Sequence, residues 1–283
     1  MRKINLKSKT ATNSIKVVQI SDAHLIVCDK NDDCFKEEKF RKFFFERETL
    51  DRCDEIFYAE EELINSIEYA NSVKADLVVF PGDIIEFCTD ANVNRMIEIF
   101  GKVKSDYLYT FGNHDYYPGK TELTHKERRE LYREKFQSRI KNDIDFAVKE
   151  INGVKFITID NSDCQFSERH YNELKKAFSE DNDVVIFTHI PLASPNLTNI
   201  AISKIRRPSF GCGSEHDMTL VDYPTETTKK VIELIKENHD KVLALFAGHE
   251  HYEAIYPYYK NIVSYVSNVN YAKEFFEIDI EKE

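Results

Sequence analysis

The sequence is poor in glycine, with 8 glycines in 283 residues, where average usage would give about 20. Glycine reaches positive φ angles easily and lets two backbones approach closely. We therefore expect each of these few glycines to answer a specific backbone requirement. Long hydrophobic runs are also missing, since none approaches the roughly 20 residues of a membrane-spanning helix. No membrane partner is expected.

An excess of positive charge is absent too, because the formal net charge is −11 at pH 7. Acidic chains are poor general binders of nucleic acid, whose phosphates require local positive charge. The six cysteines include no C-x-x-C pair, so free thiols in a reducing compartment are expected. No hydrophobic stretch follows the basic residues of positions 1–16, so we expect no signal peptide and predict a cytoplasmic location.

Short apolar runs alternate with helical patterns along the chain. The apolar runs predict buried strands at 15–21, 76–81, 107–111, 154–160, 184–188, 242–247, 262–266 and 275–280. Helices are predicted at 56–73, 93–103, 121–140, 167–178 and 225–238. This alternation is typical of an α/β fold whose sheet is covered on both faces. No linker divides the chain, so we predict a single domain over 1–283 with inserted segments at about 29–54 and 192–224.

Polar side chains follow five of the predicted strands, and ligands of α/β proteins bind outside the carboxyl ends of strands. Each cluster alone is short enough to arise by chance, but the ordered set is far more specific. Three of the scarce glycines, Gly82, Gly112 and Gly248, each come directly before a member of the set. The members are Asp22, His24, Asp83, Asn113, His114, His189, His249 and His251.

Carboxylate, amide and imidazole groups are suitable ligands for borderline divalent metals such as Mn, Fe, Co, Ni or Zn. No cysteine takes part, which disfavours a structural zinc site. The donors are too many for one tetrahedral ion, and they suffice for two ions if one carboxylate bridges them. The set therefore predicts a site for two divalent metal ions, of undetermined identity.

These clusters resemble the five sequence blocks of the calcineurin-like metallophosphoesterases, in the same order, between residues 16 and 251. The resemblance implies a four-layer α/β/β/α sandwich of two mixed sheets, with a dinuclear metal site at the strand C-termini. It further implies that Asp83 bridges the two metals. Asp22, His24 and His251 would hold one metal, and Asn113, His189 and His249 the other.

The same resemblance implies that His114 contacts the phosphate and protonates the leaving oxygen. Asp115 follows directly and is interpreted as the carboxylate that orients His114. Two metal ions clamp the attacking and leaving oxygens of a phosphoryl displacement. The predicted function is thus metal-dependent hydrolysis of a phosphomonoester or phosphodiester by a metal-bound hydroxide, with a small phosphorylated substrate as partner.

The sequence departs from the family at Glu86, where many relatives carry an aspartate three positions after the bridging one. It also lacks the Asp-Arg-Gly run of the protein Ser/Thr phosphatases, so a protein-phosphatase role is not favoured. Two alternatives stay open: a non-catalytic scaffold on the same fold, and a nuclease whose positive charge would come from 204–207 or 39–52. Finally, three tyrosines near the motifs either stack on a nucleobase, line the pocket, or lie there by coincidence: Tyr116, Tyr117 and Tyr252.

Overall fold

The computed structural model describes residues 1–27, 59–119, 121–209, 211–214 and 223–283. Within these residues the strands form two sheets, one of five strands and one of six. The inserted segment predicted at 29–54 lies outside the described residues. No helix in the described part of the chain is long and apolar enough to cross a membrane.

The first sheet has the strand order β1-β11-β2-β3-β4. Its β2, β3 and β4 are parallel, whereas β11 runs antiparallel to β2 and parallel to β1. Its strands are β1 (Arg2–Ser8), β2 (Ile15–Gln19), β3 (Leu77–Phe80), β4 (Asp106–Tyr109) and β11 (Phe276–Lys282).

The second sheet has the order β5-β6-β7-β8-β10-β9. The strands from β6 to β10 in this order are parallel, and β5 and β9 pair antiparallel at the two edges. Its strands are β5 (Phe146–Ile151), β6 (Val154–Ile159), β7 (Asp183–Thr188), β8 (Val242–Ala247), β9 (Ala254–Tyr259) and β10 (Ile262–Val266).

The helices lie on the outer faces of the two sheets. Side chains of α1, α2 and α3 pack on the first sheet, and those of α4 and α6 pack on the second. A third core between the sheets contains side chains from both, including Val79, Phe187 and Phe246. The helices are α1 (Ala59–Ser72), α2 (Asp90–Phe100), α3 (His125–Gln137), α4 (Glu168–Phe178), α5 (Pro195–Ile205) and α6 (Glu226–Glu237). The two mixed sheets and four layers expected from the sequence are confirmed.

The inserted segment predicted at 192–224 contains a helix that the sequence did not predict. Helix α5 lies inside that range, with Ser194 as its N-cap and Pro195 in its first turn. These two residue types favour a helix start. Leu197 and Ala201 are buried and pack near β9. Because these two positions make up the buried stripe, the helix gives little periodic signal in the sequence.

Three strands were not predicted from the sequence: β1, β5 and β9. Fewer than half of the residues in each are buried, unlike the fully buried β3, β6 and β7. An edge strand that is half exposed carries too few apolar residues for a continuous hydrophobic run. All three lie at sheet edges, which accounts for the omission.

Candidate metal centre

The predicted site residues follow the carboxyl ends of strands from both sheets. Strands β2, β3 and β4 of the first sheet are parallel, so the segments that follow them lie at one edge. Strands β7 and β8 of the second sheet are parallel as well. The residues beyond these five strands are Asp22, His24, Asp83, Asn113, His114, His189, His249 and His251.

Glycine explains how these segments approach each other. Gly82 has φ +95°, and a Cβ there would lie 2.3 Å from the backbone nitrogen of Gly112. A Cβ on Gly112 would lie 2.2 Å from Oδ1 of Asp83, and one on Gly248 would lie 2.1 Å from Oδ2 of Asp22. Real Cβ atoms do not come this close, so only glycine fits at these positions. The expectation that the scarce glycines serve specific contacts is confirmed here.

The candidate ligands themselves adopt an unusual backbone conformation. Left-handed φ angles are uncommon outside glycine and cost about 1–3 kcal/mol, so they persist where the surrounding structure enforces them. A concentration of such residues at one site indicates a functional constraint. The residues are Asp22 (φ 56°), His24 (48°), Asp83 (51°), His249 (70°) and His251 (55°).

One group of donors joins the two sheets. Asp22, His24, Asp83 and His251 offer ligand atoms within 4.8 Å of one another. The Nε2 atoms of His24 and His251 are 3.1 Å apart. Oδ1 of Asp22 lies 3.5 Å from Nε2 of His251, and Oδ2 of Asp83 lies 3.8 Å from Nε2 of His24. These are the spacings of ligands arranged around a common centre.

A second group shares Asp83. Asp83, His189 and His249 offer atoms within the same 4.8 Å. Nε2 of His189 is 3.2 Å from Oδ2 of Asp83 and 3.2 Å from Nδ1 of His249. Asn113 joins this group, with its Oδ1 at 3.2 Å from Nε2 of His189. The predicted donors therefore come together in two clusters, and Asp83 belongs to both.

Hydrogen bonds fix which imidazole nitrogens face these clusters. Nδ1 of His24 is 2.6 Å from Oε2 of Glu86, and Nδ1 of His189 is 3.0 Å from the carbonyl oxygen of Pro81. Each partner is an acceptor, so Nδ1 carries the proton and the Nε2 lone pair faces the cluster. With both imidazoles in their neutral form, lone pairs and carboxylate oxygens converge on the clusters. A pair of cations fits such a donor set.

The charges in the site favour metal binding at neutral pH. Burial would raise the pKa of Asp22, but the hydrogen bond from His251 and the charge of His189 lower it to about 2. Despite burial, the charge of His189 holds the pKa of Asp83 well below its usual range. Burial and the charge of His189 lower the pKa of His249 to about 3. Both carboxylates are ionised and His249 is neutral, which are the forms that bind metal.

His189 is the exception among these ligands. Burial would lower its pKa, but the charge of Asp83 raises it to about 9. His189 therefore holds a proton at neutral pH when no metal is bound. A cation in the second cluster would take the place of that proton.

His114 lies beside the clusters and is partly exposed, with 25% of its side chain accessible. Its ring contacts the His24 ring edge-on at a centroid distance of 4.8 Å. Its Nδ1 is 3.3 Å from Oε1 of Glu86. A buried carboxylate thus lies against both rings, and the charges of His114 and His24 overcome burial to hold the pKa of Glu86 well below its usual range.

Asp115 is fully buried, and its carboxylate accepts hydrogen bonds from four backbone N–H groups. Oδ2 accepts from Asp83 at 2.9 Å and from Gly112 at 2.8 Å. Oδ1 accepts from Ile84 at 2.9 Å and from Ile85 at 3.0 Å. Asp115 therefore joins the segment after β3 to the segment after β4. The carboxylate that the structure places beside the His114 ring is Glu86.

Sequence reasoning noted Glu86 only as a departure from the family pattern and gave it no role. The signal that could have found it is its position three residues after Asp83. The basic residues considered for nucleic acid, Lys204, Arg206 and Arg207, are exposed at the end of α5. The other basic stretch, 39–52, lies outside the described residues.

The comparisons with known proteins agree with this geometry. A family model described as calcineurin-like phosphoesterase matches residues 15–253, most of the chain. The chain belongs to the calcineurin-like phosphoesterase family. It is accordingly a hydrolase that acts on phosphoester bonds. Comparison with curated proteins gave no match.

Solved structures share the fold at low sequence identity. A dimetal phosphatase from Danio rerio is 13% identical with a TM-score of 0.59, covering 90% of this chain and 88% of that one. A purple acid phosphatase from yellow lupin (Lupinus luteus) seeds is 13% identical with a TM-score of 0.51, covering 89% of this chain and 43% of that one. At these identities the likeness shows the fold of this family.

Proposed function

We propose that this protein uses two divalent metal ions to hydrolyse a phosphomonoester or phosphodiester of a small molecule. The observation that carries the proposal is the convergence of two donor clusters on the shared carboxylate of Asp83. The dimetal phosphatase of similar fold supports it. The buried free thiols Cys88, Cys164 and Cys212 fit a reducing compartment, and we propose a cytoplasmic location.

The residues divide between the two ions as follows. Asp83 contributes to both, and its second oxygen, Oδ1, accepts from the backbone N–H of His114 at 2.8 Å, which fixes its orientation. Two such ions, when bound, would polarise the phosphoryl oxygens and activate water as the nucleophile. The remaining ligands are Asp22, His24 and His251 for one ion, and Asn113, His189 and His249 for the other.

His114 is the proton donor to the leaving oxygen. Its Nδ1 faces the ionised Glu86, so the proton available to a substrate is the one on Nε2. The negative charge of Glu86 stabilises the protonated ring until the leaving oxygen takes that proton. Asp115 supports this arrangement through the backbone, because it holds Gly112 and Asp83 in place on either side of the site.

A comparison of two leaving groups tests the role of His114. A general acid contributes about 10²–10⁴-fold when the leaving oxygen is basic, and less when it is not. In His114→Asn we expect kcat for phenyl phosphate to fall by at least about 100-fold, and for p-nitrophenyl phosphate by much less. The control is His239→Asn, which removes a histidine hydrogen-bonded to Asn261 and should change neither rate. Equal losses for the two substrates would refute the proton-donor role.

Metal content tests the bridging role. Asp83→Asn keeps the size of the side chain but removes the charge that both clusters share, so we expect less than one bound metal per chain and no measurable turnover. Atomic emission of the protein reconstituted with Mn²⁺, with wild type alongside, gives the count. Full occupancy with unchanged activity would contradict the two-metal proposal.

A further inference from the structure

Arg128 lies on α3 and is 7% exposed, although arginine is rarely buried without an ionised partner. Its Nε donates only a long hydrogen bond, 3.4 Å, to the carbonyl oxygen of Thr124. Among the residues that the structure describes, no carboxylate lies within 4.0 Å of its guanidinium. A charge so placed has lost much of its hydration and gained no counter-charge from this part of the protein.

The neighbouring arginines of the same helix differ. Arg129 is 2.9 Å from Oδ1 of Asp163, and Arg133 is 3.1 Å from Oδ1 of Asp145. Both are thus paired with buried or half-buried acids on the segments next to α3. The lack of an acid at Arg128 is therefore specific to its own surroundings and not a property of the helix as a whole.

The surroundings of Arg128 connect it to the metal centre. Its guanidinium carbon lies 5.2 Å from the centre of the Tyr117 ring. The Tyr117 ring is in turn 6.5 Å from the His114 ring, and the His114 ring is 4.8 Å from that of His24. Successive ring contacts thus connect the metal ligand His24 to His114, then to Tyr117, and then to Arg128. Tyr117, whose role the sequence left open, supports the guanidinium by a cation–π contact.

His125, a titratable side chain close to Arg128, brings no negative charge. Burial and then the charges of Arg128 and His114 lower the pKa of His125. Glu86, the buried acid beside His114, already lies against both His24 and His114. An anion that reached Arg128 would meet a guanidinium with no acid of the described residues within 4.0 Å.

We propose that Arg128 binds a second oxyanion, a carboxylate or a phosphate, carried by the leaving group of the substrate. This inference rests on the proposed function, because His114 marks the side from which the leaving group departs. The planar guanidinium binds such anions with two parallel hydrogen bonds. The Tyr117 ring packs against the Arg128 guanidinium, and the anion supplies the counter-charge. The preferred substrates are then phosphoesters whose leaving alcohol carries a carboxylate or a second phosphate.

Matched substrate pairs test the proposal. Phenyl phosphate is compared with 4-carboxyphenyl phosphate, and glucose 6-phosphate with glucose 1,6-bisphosphate. The ratio of kcat/KM within each pair is measured for wild type and for Arg128→Gln, so that the intrinsic reactivity of the leaving groups cancels. In at least one pair, we expect the wild-type enzyme to have the higher kcat/KM for the substrate whose leaving group carries the carboxylate or second phosphate. In Arg128→Gln this ratio of kcat/KM values should fall by about 10-fold or more, mainly through a higher KM for that substrate. The two pairs distinguish a carboxylate from a phosphate.

Further variants separate recognition from folding. Arg128→Lys keeps the positive charge but loses the planar pair of N–H donors. Its kcat/KM ratio within each pair should therefore lie between those of wild type and Arg128→Gln. Arg129→Gln removes a neighbouring charge from the same helix, and it should lower the melting temperature without changing the ratio. Arg139→Gln, an exposed arginine hydrogen-bonded to Asn94, should change neither. An equal loss for both members of every pair in Arg128→Gln, or no wild-type preference in any pair, would overturn the proposal.

Direct binding keeps this test separate from the proposed function. Calorimetric titration of wild type and Arg128→Gln with glucose 1,6-bisphosphate and with glucose 6-phosphate needs no turnover. Tighter binding of the bisphosphate to wild type that is lost in the variant supports the anion site even if no substrate is hydrolysed. Hydrolysis of phenyl phosphate without any such difference supports the phosphoesterase and refutes the anion site.

Discussion

Glu86 is the residue through which the metal ligands and the proton donor are coupled. One oxygen lies 2.6 Å from Nδ1 of His24 and the other 3.3 Å from Nδ1 of His114. Glu86 fixes which ring nitrogen of His24 faces the metal ligands. It also places a negative charge beside the ring of His114, the proposed proton donor. Partners of this kind usually contribute 10- to 100-fold to metal affinity or rate.

Glu86→Gln should therefore reduce kcat/KM for p-nitrophenyl phosphate by about 10- to 100-fold while the protein stays folded. The amide can still accept from one histidine, but it no longer carries the charge that both rings face. Assay with Mn²⁺, together with metal analysis, measures the two effects. Glu98→Gln is the matched control, since Glu98 is a largely exposed partner of Arg95 on α2. Wild-type rate and metal content in Glu86→Gln would rule out this role.

At the scale of elements, Asp145 connects helices that cover different sheets. Its Oδ1 is 3.1 Å from Arg133 on α3 and 3.2 Å from Nε2 of His170 on α4. Its Oδ2 accepts from Arg169 on α4 at 2.8 Å. The carboxylate immediately precedes β5, so it holds α3 and α4 against one end of that strand. Removal of one member of such a buried network leaves the other charges uncompensated.

The pKa of Asp145 sets a pH dependence of stability. Burial would raise it, but the hydrogen bond and charge of His170, with Arg133 and Arg169, hold it below the usual value. A depressed carboxyl pKa stabilises the fold above the unfolded-state value of about 3.9, and that stability is lost as the pH falls below it. Asp145→Asn should thus lower the free energy of unfolding by about 3 kcal/mol at pH 7.

Urea unfolding from about pH 7 down to about pH 2 measures this effect, and the gap between wild type and variant should shrink below about pH 4. The control is Asp143→Asn, since Asp143 also pairs with Arg169 but is 43% exposed. Its substitution should change stability by less than about 1 kcal/mol. A gap that stays constant across this pH range would show that Asp145 does not act through its charge.

At the scale of the whole molecule, the two sheets share one core. The rings of Phe187 on β7 and Phe246 on β8 stack at 5.3 Å and pack with Val17, Leu77 and other residues of the first sheet. Gln19 adds a buried polar link, because its amide nitrogen donates to the carbonyl oxygen of Ala247 at 3.1 Å. Neither sheet buries this face without the other, so a single domain remains our prediction.

Phe187→Ala should lower the free energy of unfolding by about 3–5 kcal/mol and leave one cooperative transition. Scanning calorimetry checks the prediction, because the calorimetric and van't Hoff enthalpies agree when one unit unfolds. Val148→Ala on β5 is the control, since Val148 is 44% exposed. Two separate transitions in wild type or variant would show that the sheets are independent units.

The sequence by itself determined the buried parallel strands and the order of the donors that follow them. Continuous apolar runs such as Leu77–Phe80 are buried along their whole length, and recognising them needs no tertiary information. The edge strands and α5 were not predicted because a half-buried element has few apolar positions that a sequence pattern can reveal. Strand β1 is an example, because its hydrogen-bonded partner is β11, from the opposite end of the chain.

The tertiary structure alone decided which side chains touch. Asp83 and His189 are far apart in sequence, and their 3.2 Å contact exists because strands of two sheets end at the same place. Glu86 lies against His24 and His114, and Arg128 lies over the Tyr117 ring, for the same reason. Local pattern fixes the type of element and its polar ends. Contacts depend on how twisted sheets and closed loops bring distant segments together, and no local pattern contains that information.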